Sequence, residues 1–457
     1  MAEKRIYIVD VTNRDGVQTS RLGLAKLQKT MINLLLNDMG ITQSEFGFPN
    51  TRHEINYLNA NLQLVDRGVI TKTVLSGWMR GLASDVYESF QNVPRLQHVN
   101  LSVSTSDQMI QGKFKGKKNK DDVVKQMTQA VDAALSCGAL TVGVNAEDAS
   151  RTDEEFMIKF AKAAKDSGAH RIRYCDTLGY DDPHTTYHRI HNLAKAVGLP
   201  IELHYHNDLG MAVANSVMGA KAAIDAGVDA YINTAINGMG ERAGNADLVS
   251  CLLAVLKSSG FGGKYHLDPN IDLAVAWSLA KYTSYAFGVP IPINQAAVGD
   301  NAFAHESGIH ADGALKDRRN YELYDFEELG RGEPEVVETG RLITVGEYGG
   351  IKGFRNVYEK LEIEFKDEDE ARNILELARY ANVHTQKPLL DIELKFIHNY
   401  PDIAAKLMTV TPYYVPVGAL KQRVERDKAA SGGTDESDQA QVCEVNNDGE
   451  IQCNKRK

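Results

Sequence analysis

The chain predicts an α/β protein built on a parallel (β/α)8 TIM barrel with a mainly helical C-terminal extension. Three observations carry that expectation. Eight short runs are rich in Val, Ile, Leu, Tyr and Thr, the stretches between them have helical periodicity, and the alternation stops near residue 270. The runs are RIYIVDVT (5–12), QSEFGF (43–48), TKTVLSGW (71–78), HVNLSVST (98–105), TVGVNAED (141–148), HRIRYCDT (170–177), IELHYHN (201–207) and AYINTAIN (230–237). Between them, DDVVKQMTQAVDAALSCG and EEFMIKFAKAAKDSG repeat apolar residues at helical spacing and close on glycine, as a helix C-cap prefers. Strands alternating with helices imply right-handed crossovers and a parallel sheet. Eight such units match a closed barrel better than an open doubly wound sheet, which is the alternative.

The barrel is expected over 1–270. A helical linker subdomain carrying SGIHADG follows over 271–325, and a small C-terminal α+β or helical subdomain over 326–426. From 427 to 457 the composition turns to Ser, Gly, Asp, Asn and Gln, which predicts a disordered tail.

Composition narrows the function. Hydrophobic content of 43% with 25% charged residues is that of a globular protein, and no run of eighteen apolar residues offers a membrane span. The N-terminus MAEKRIYIVDVT has no apolar leader core, and the five cysteines (137, 175, 251, 443, 453) show no paired spacing. Both point to a reduced, cytoplasmic protein. A formal charge of −10 argues against sequence-independent nucleic-acid binding. The basic run KFKGKKNK (113–120) is the local exception, read either as a solvated loop or as a contact to the phosphates of a nucleotide-like cofactor.

The chemistry belongs at the C-terminal ends of the strands. In the seventh run His204 and His206 stand at i and i+2, hence on one face, with imidazoles expected about 7 Å apart. Such a pair can converge on one divalent ion, with Zn, Mn, Mg and Co all admissible. At the end of the first strand Arg14 and Asp15 offer a fixed positive charge for an oxyanion and a carboxylate ligand. After the eighth strand, NGMGERAGN makes a tight loop from which Asn245 can add an amide oxygen. Glu147 and Thr177 end strands five and six, in reach of a bound substrate.

Taken together, NRDGVQ, AEDASRTD, DTLG, HYHNDLGMAVANS, NGMGERAGN and HESGIHADG, in this order over residues 5 to about 325, resemble the metal-dependent Claisen-condensing enzymes. That family includes isopropylmalate, homocitrate and citramalate synthases and the Re-type citrate synthases. The resemblance implies an acyltransferase that condenses acetyl-CoA with a small 2-oxo acid. It implies Asp15, His204, His206 and Asn245 as metal ligands and Arg14 as the oxyanion-stabilising residue. Glu147 and Thr177 fall at positions that contact the oxo acid. His310 of SGIH and Tyr321 match a catalytic pair that reaches a neighbouring subunit's site, so a homodimer or larger oligomer is expected. Gln18, Trp78, Arg80 and Asn145 complete the expected substrate contacts.

Departures from the family pattern bear on the substrate. Asn13 and Val17 stand where most members read LRDGEQ. Homocitrate synthases grip the distal carboxylate with a His on strand three and an Arg on strand five, where Trp78 and Gly143 stand here, with Asn145 nearby. Trp78 is expected to shorten the pocket and Arg80 to offer charge to a shorter diacid. NRDGVQTSRLGL is similar to the Re-type citrate synthases. Oxaloacetate is therefore the expected acid, 2-oxoglutarate the second, and an apolar or pyruvate-like acid (isopropylmalate or citramalate synthesis) the alternative. A retro-Claisen lyase of the HMG-CoA type would carry a cysteine in the GMGERAGN loop, which has none. A non-catalytic barrel would have no use for HxH, Arg14-Asp15 and SGIH together.

Overall fold

In the computed structural model the described residues are 3–335 and 339–410, with the backbone of two short strands beyond them. All eight predicted runs form parallel strands: β1 (Arg5–Asp10), β2 (Gln43–Gly47), β3 (Val74–Arg80), β4 (His98–Ser104), β5 (Thr141–Glu147), β6 (Arg171–Asp176), β7 (Ile201–Tyr205) and β8 (Ala230–Thr234). They pair in chain order, and β8 and β2 both pair with β1, so the sheet closes. The seam has a ninth piece. β2 meets β1 at Val9 and Asp10, while β9 (His266–Leu267) pairs with Arg5 and Ile6, covering the part of that edge β2 leaves open.

Helices α1 (Lys26–Met39), α2 (Ile55–Asp66), α3 (Ala83–Asn92), α4 (Asp107–Phe114), α5 (Lys120–Ser136), α6 (Glu154–Asp166), α7 (Pro183–Val197), α8 (Ala212–Asp225) and α9 (Leu248–Lys257) follow their strands. Their ends obey local chemistry. Asn119 and Asp122 form a capping box on α5, Asp153 and Asp182 cap α6 and α7, and α1 and α7 stop at left-handed Gly40 and Gly198.

The interior of the barrel is charged below its mouth. Glu45 on β2 is fully buried between Arg14 and Arg173. Arg173 Nη2 donates to Glu45 Oε1 at 2.6 Å and to Glu202 Oε1 at 2.5 Å, while Asn100 and Asn233 donate to the two carboxylates at 2.8 Å each. Buried charges are tolerated here because each finds partners; removing one strands the rest, at a typical cost of about 3–5 kcal/mol. Burial alone would raise the Glu45 carboxyl, but Arg14 and Arg173 hold it down to about 2. A depressed carboxyl contributes stability that is full above its unfolded value near 4.5 and is lost as pH falls through that value towards 2. Glu45→Gln is therefore expected to lower Tm at neutral pH and to flatten the acid limb of the Tm profile between pH 4.5 and 2.

The described part of the extension consists of helices joined by loops. α10 (Ala276–Phe287) lies on the barrel beside α1, with Asn237 Nδ2 donating to Ala280 O at 2.9 Å. Then come α11 (Gly308–Lys316), α12 (Ile351–Lys360), α13 (Glu368–Thr385), α14 (Asp391–Asn399) and α15 (Pro401–Met408). Tyr282 of α10 donates to buried Glu393 of α14 at 2.8 Å, and Arg67, just past α2, pairs with Asp402, which ties α15 to the barrel. The expected tail over 427–457 lies outside the described residues, except that Val442–Val445 and Ile451–Asn454 pair as antiparallel strands β10 and β11. No described helix is long and apolar enough to cross a membrane.

Candidate active site

The turn after β1 aims its side chains through one acceptor: Val11 O receives the N–H groups of Arg14, Asp15 and Gly16 at 3.0, 2.7 and 3.1 Å. Asn13 serves this turn rather than the cavity, donating to Lys29 O and Asn33 Oδ1 at 2.9 Å each. Two strands away, on the far side of β8, His204 near the end of β7 places its Nε2 3.0 Å from Asp15 Oδ2, and His206 Nε2 lies 3.8 Å from the same oxygen. The imidazole centroids are 5.0 Å apart, closer than the expected 7 Å. His206 has already left the strand to bridge with Asn245.

Asn245 reaches this spot because Gly240 has no side chain; a Cβ there would meet Asn245 Nδ2 at 2.0 Å. That Nδ2 donates to Met239 O at 3.1 Å, leaving Oδ1 buried and without a partner, as are Nδ1 of His204 and Nδ1 of His206. The Asn245 oxygen is costly to leave so unless something completes it, whereas the two Nδ1 atoms belong to rings whose Nε2 atoms face Asp15.

The titration state suits a ligand set. Burial pushes Asp15 up, but Arg14 and the two imidazoles outweigh it and hold the carboxyl well below its usual range. Burial and the neighbouring His204 push His206 down to about 4, so its ring is neutral at ordinary pH. An anionic carboxylate, the neutral His206 ring, the His204 imidazole beside it and an amide oxygen fit a divalent ion of mixed nitrogen and oxygen preference.

This cluster forms one wall of a polar cavity of about 180 Å³. Gln18, Trp78, Asn145, Glu147 and Thr177 also line it, as do Ser102, Arg173, Cys175, Glu241 and Arg242, which the sequence had not singled out. In a closed eight-stranded barrel β3, β4 and β5 stand opposite β7, β8 and β1, so Trp78, Ser102 and Asn145 face the Asp15–His204–His206 wall. The satisfied orientation of the Asn145 amide turns its oxygen to Trp78 Nε1 at 3.1 Å and Arg173 Nη1 at 3.3 Å. Arg14 lies 5.5 Å over the Trp78 ring, with Nε donating to Glu45 at 2.5 Å and Nη1 3.2 Å from Asp15. Glu147 pairs with Lys113 of the basic run at 2.5 Å and accepts from Ser104 Oγ. Thr177 Oγ1 accepts from Asp148 N at 2.9 Å.

Four expected residues do not line this cavity: Asn245, which sits behind His206 against Gly240, and Arg80, His310 and Tyr321. Arg80 is corrected by the structure: it is exposed, and its guanidinium is clamped by Asp85 of α3 at 2.6 and 3.0 Å. The chain turns at Gly81, where a Cβ would sit 2.3 Å from Val103, so Arg80 swings outward to the helix instead of following Trp78 inward. His310 and Tyr321 stack on each other outside the cavity, centroids 4.3 Å apart, and Gly313 makes room for the tyrosine ring. Around them Ile309, Leu315 and Leu323 are 75, 89 and 72% exposed in the single chain.

The profile of the HMGL-like family matches residues 5–282, and a homocitrate synthase post-HMGL domain-like profile matches 297–385. The chain is 60% identical over 409 residues to a Citrate (Re)-synthase of Dehalococcoides mccartyi, covering 89% of this chain and 99% of that protein. To a 2-isopropylmalate synthase 2 of Caldanaerobacter subterraneus subsp. tengcongensis it is 37% identical over 404 residues, 88% of this chain and 97% of that one. In fold it resembles a hydroxymethylglutaryl-CoA lyase from Pseudomonas aeruginosa, with a TM-score of 0.50 at 16% identity over 63% of this chain and 95% of that structure. The chain thus belongs to the HMGL-like family, with a homocitrate-synthase-type segment following its barrel.

Proposed function

We propose that this chain condenses acetyl-CoA with oxaloacetate, releasing CoA and citrate, with 2-oxoglutarate as the second candidate acid. The observation that carries this reading is the opposition of two walls across one small cavity. Asp15, His204, His206 and Arg14 stand on one side, and the hydrogen-bonding wall of Trp78, Ser102 and Asn145 on the other. The 60% identity to a Citrate (Re)-synthase supports oxaloacetate, and the homocitrate synthase-like segment keeps 2-oxoglutarate in play. The 37% identity to a 2-isopropylmalate synthase favours an apolar acid as the alternative, but the Ser102 hydroxyl and the Asn145 amide N–H suit a second carboxylate better.

A divalent ion of the Mn, Mg, Zn or Co class, held by Asp15, His204, His206 and Asn245, would supply Lewis-acid polarisation of the 2-oxo group. The chain supplies the rest. Arg14, pinned by Glu45, is a fixed cation where the oxo oxygen becomes negative as the new C–C bond forms. The Thr177 hydroxyl accepts from Asp148, which leaves its hydrogen to donate to a substrate oxygen. Glu147 is oriented by Lys113 and Ser104 at the rim. From Lys113 the basic run leads outward, and its lysines face the demand of the CoA phosphates for positive charge.

His310, assisted by Tyr321, removes a methyl proton from acetyl-CoA in the cavity of a second copy of the chain. The enolate carbon then bonds to the oxo carbon, the oxo oxygen takes up a proton, and water cleaves the thioester. The exposed apolar residues around His310 support a homodimer or larger oligomer. Cytoplasmic location is supported by the free thiols Cys137, Cys175 and Cys251.

Substrate choice is tested by kcat/KM for oxaloacetate, 2-oxoglutarate and 2-oxoisovalerate. Oxaloacetate is expected to exceed 2-oxoglutarate by about 10–200-fold, the worth of one methylene, and 2-oxoisovalerate by more. Asn145→Leu is expected to lose most of the preference for the diacids. Arg80→Leu is expected to change none of the three values, since its guanidinium is spent on Asp85. A wild-type preference for 2-oxoisovalerate would overturn the diacid reading.

A further inference from the structure

The first turns of α7 carry His184 and His188 four residues apart, both exposed, with Nε2 facing Nε2 at 3.1 Å. Histidines at i and i+4 share one helix face and are a recurrent two-ligand metal grip. With metal–nitrogen bonds of 2.0–2.1 Å, two nitrogens bound at angles between 90° and 109° lie about 2.9–3.4 Å apart. The observed separation falls inside that interval, so a small rotation of the two exposed rings brings both nitrogens onto one ion.

The backbone beneath is fixed. Asp182 caps the helix by accepting from His184 N at 2.9 Å and Thr185 N at 3.1 Å, and Pro183 occupies the first turn. Without an ion, the two rings form a single N–H···N hydrogen bond that requires one of them to carry its proton on Nε2. In solvent such a bond contributes little, because water offers both rings equivalent partners. Moving that proton to Nδ1 frees both Nε2 lone pairs at once.

We propose that His184 and His188 form a second divalent-ion site, separate from the cavity, for a transition ion of the Zn, Ni, Cu or Co class. Two imidazoles with water in the remaining positions suit these ions, whereas Mg and Ca call for oxygen ligands. Neither histidine lines the cavity, and neither belongs to the Asp15–His204–His206 cluster. The site therefore stands whether or not the condensation reading does. Its effect is a clip across the first two turns of α7, the helix between β6 and β7.

The test is equilibrium dialysis of the full chain against Zn²⁺ and, separately, Mg²⁺ at neutral pH, for wild type, His184→Ala and His188→Ala. Each variant is expected to hold one Zn²⁺ per chain fewer than wild type, with Mg²⁺ content and condensing activity unchanged. Zn²⁺ should also raise the Tm of wild type more than that of either variant. Both histidines are exposed, so the variants are expected to fold, and two independent substitutions guard against one that does not. Equal Zn²⁺ content in wild type and both variants would overturn the proposal. Loss of Mg²⁺ alongside Zn²⁺ would do the same, by tracing the effect to the cavity.

Discussion

His204→Ala is expected to strip the divalent ion from the protein and to lower kcat by roughly 10³-fold or more, since one of few ligands and the carbonyl activation go together. Asp15→Asn should act in the same direction while keeping the side chain's size. It removes the charge on which Arg14 and both imidazoles converge, and leaves Arg14 with Glu45 as its remaining carboxylate partner. Metal content by elemental analysis and CoA release from acetyl-CoA are the two readouts, and they should fall in parallel. Full turnover in chelator-treated His204→Ala protein would remove the ion from the chemistry altogether.

The second large effect concerns assembly. Arg14→Ala and His310→Ala are each expected to be nearly inactive, by about 10³-fold, because one loses the oxyanion's partner and the other the base. Co-expressed, they should regain activity. If each site uses its own Arg14 and a neighbour's His310, a random mixture of dimers leaves one intact site in each heterodimer, roughly a quarter of the wild-type sites. If both residues served the same chain's site, no pairing would contain an intact one. Sedimentation of the active species together with the rate of the mixture checks this. An active monomer, or a mixture no faster than its components, would place the base elsewhere.

The parts of this site that were legible from residues alone are those whose meaning is local. Short runs rich in Val, Ile, Leu, Tyr and Thr alternate with stretches of helical period, which is why all eight strands could be placed within a few residues even where they carry buried charge. His204 and His206 were legible through the period of two, and Arg14-Asp15 through its position at a strand end. What escaped depended on closure of the barrel. Glu45, Arg173 and Glu202 come from β2, β6 and β7, and only the closed sheet makes them one buried network. The spacing of Arg171 and Arg173 in HRIRYCDT was the available hint that this strand sends charge to one face.

Arg80 shows how period-two reasoning fails at a strand's last residue. It shares its register with Trp78, yet the turn at Gly81 and the partner at Asp85 take it out to solvent. His310 and Tyr321 could be singled out only by resemblance, because nothing in their own spacing points to chemistry.

The most direct measurement incubates the metal-supplied protein with acetyl-CoA and oxaloacetate and follows CoA and citrate together. CoA and citrate are expected in equal amounts, with a rate that vanishes on chelation and returns on adding the ion. CoA release without citrate, or no release with oxaloacetate while 2-oxoisovalerate is consumed, would contradict the assignment.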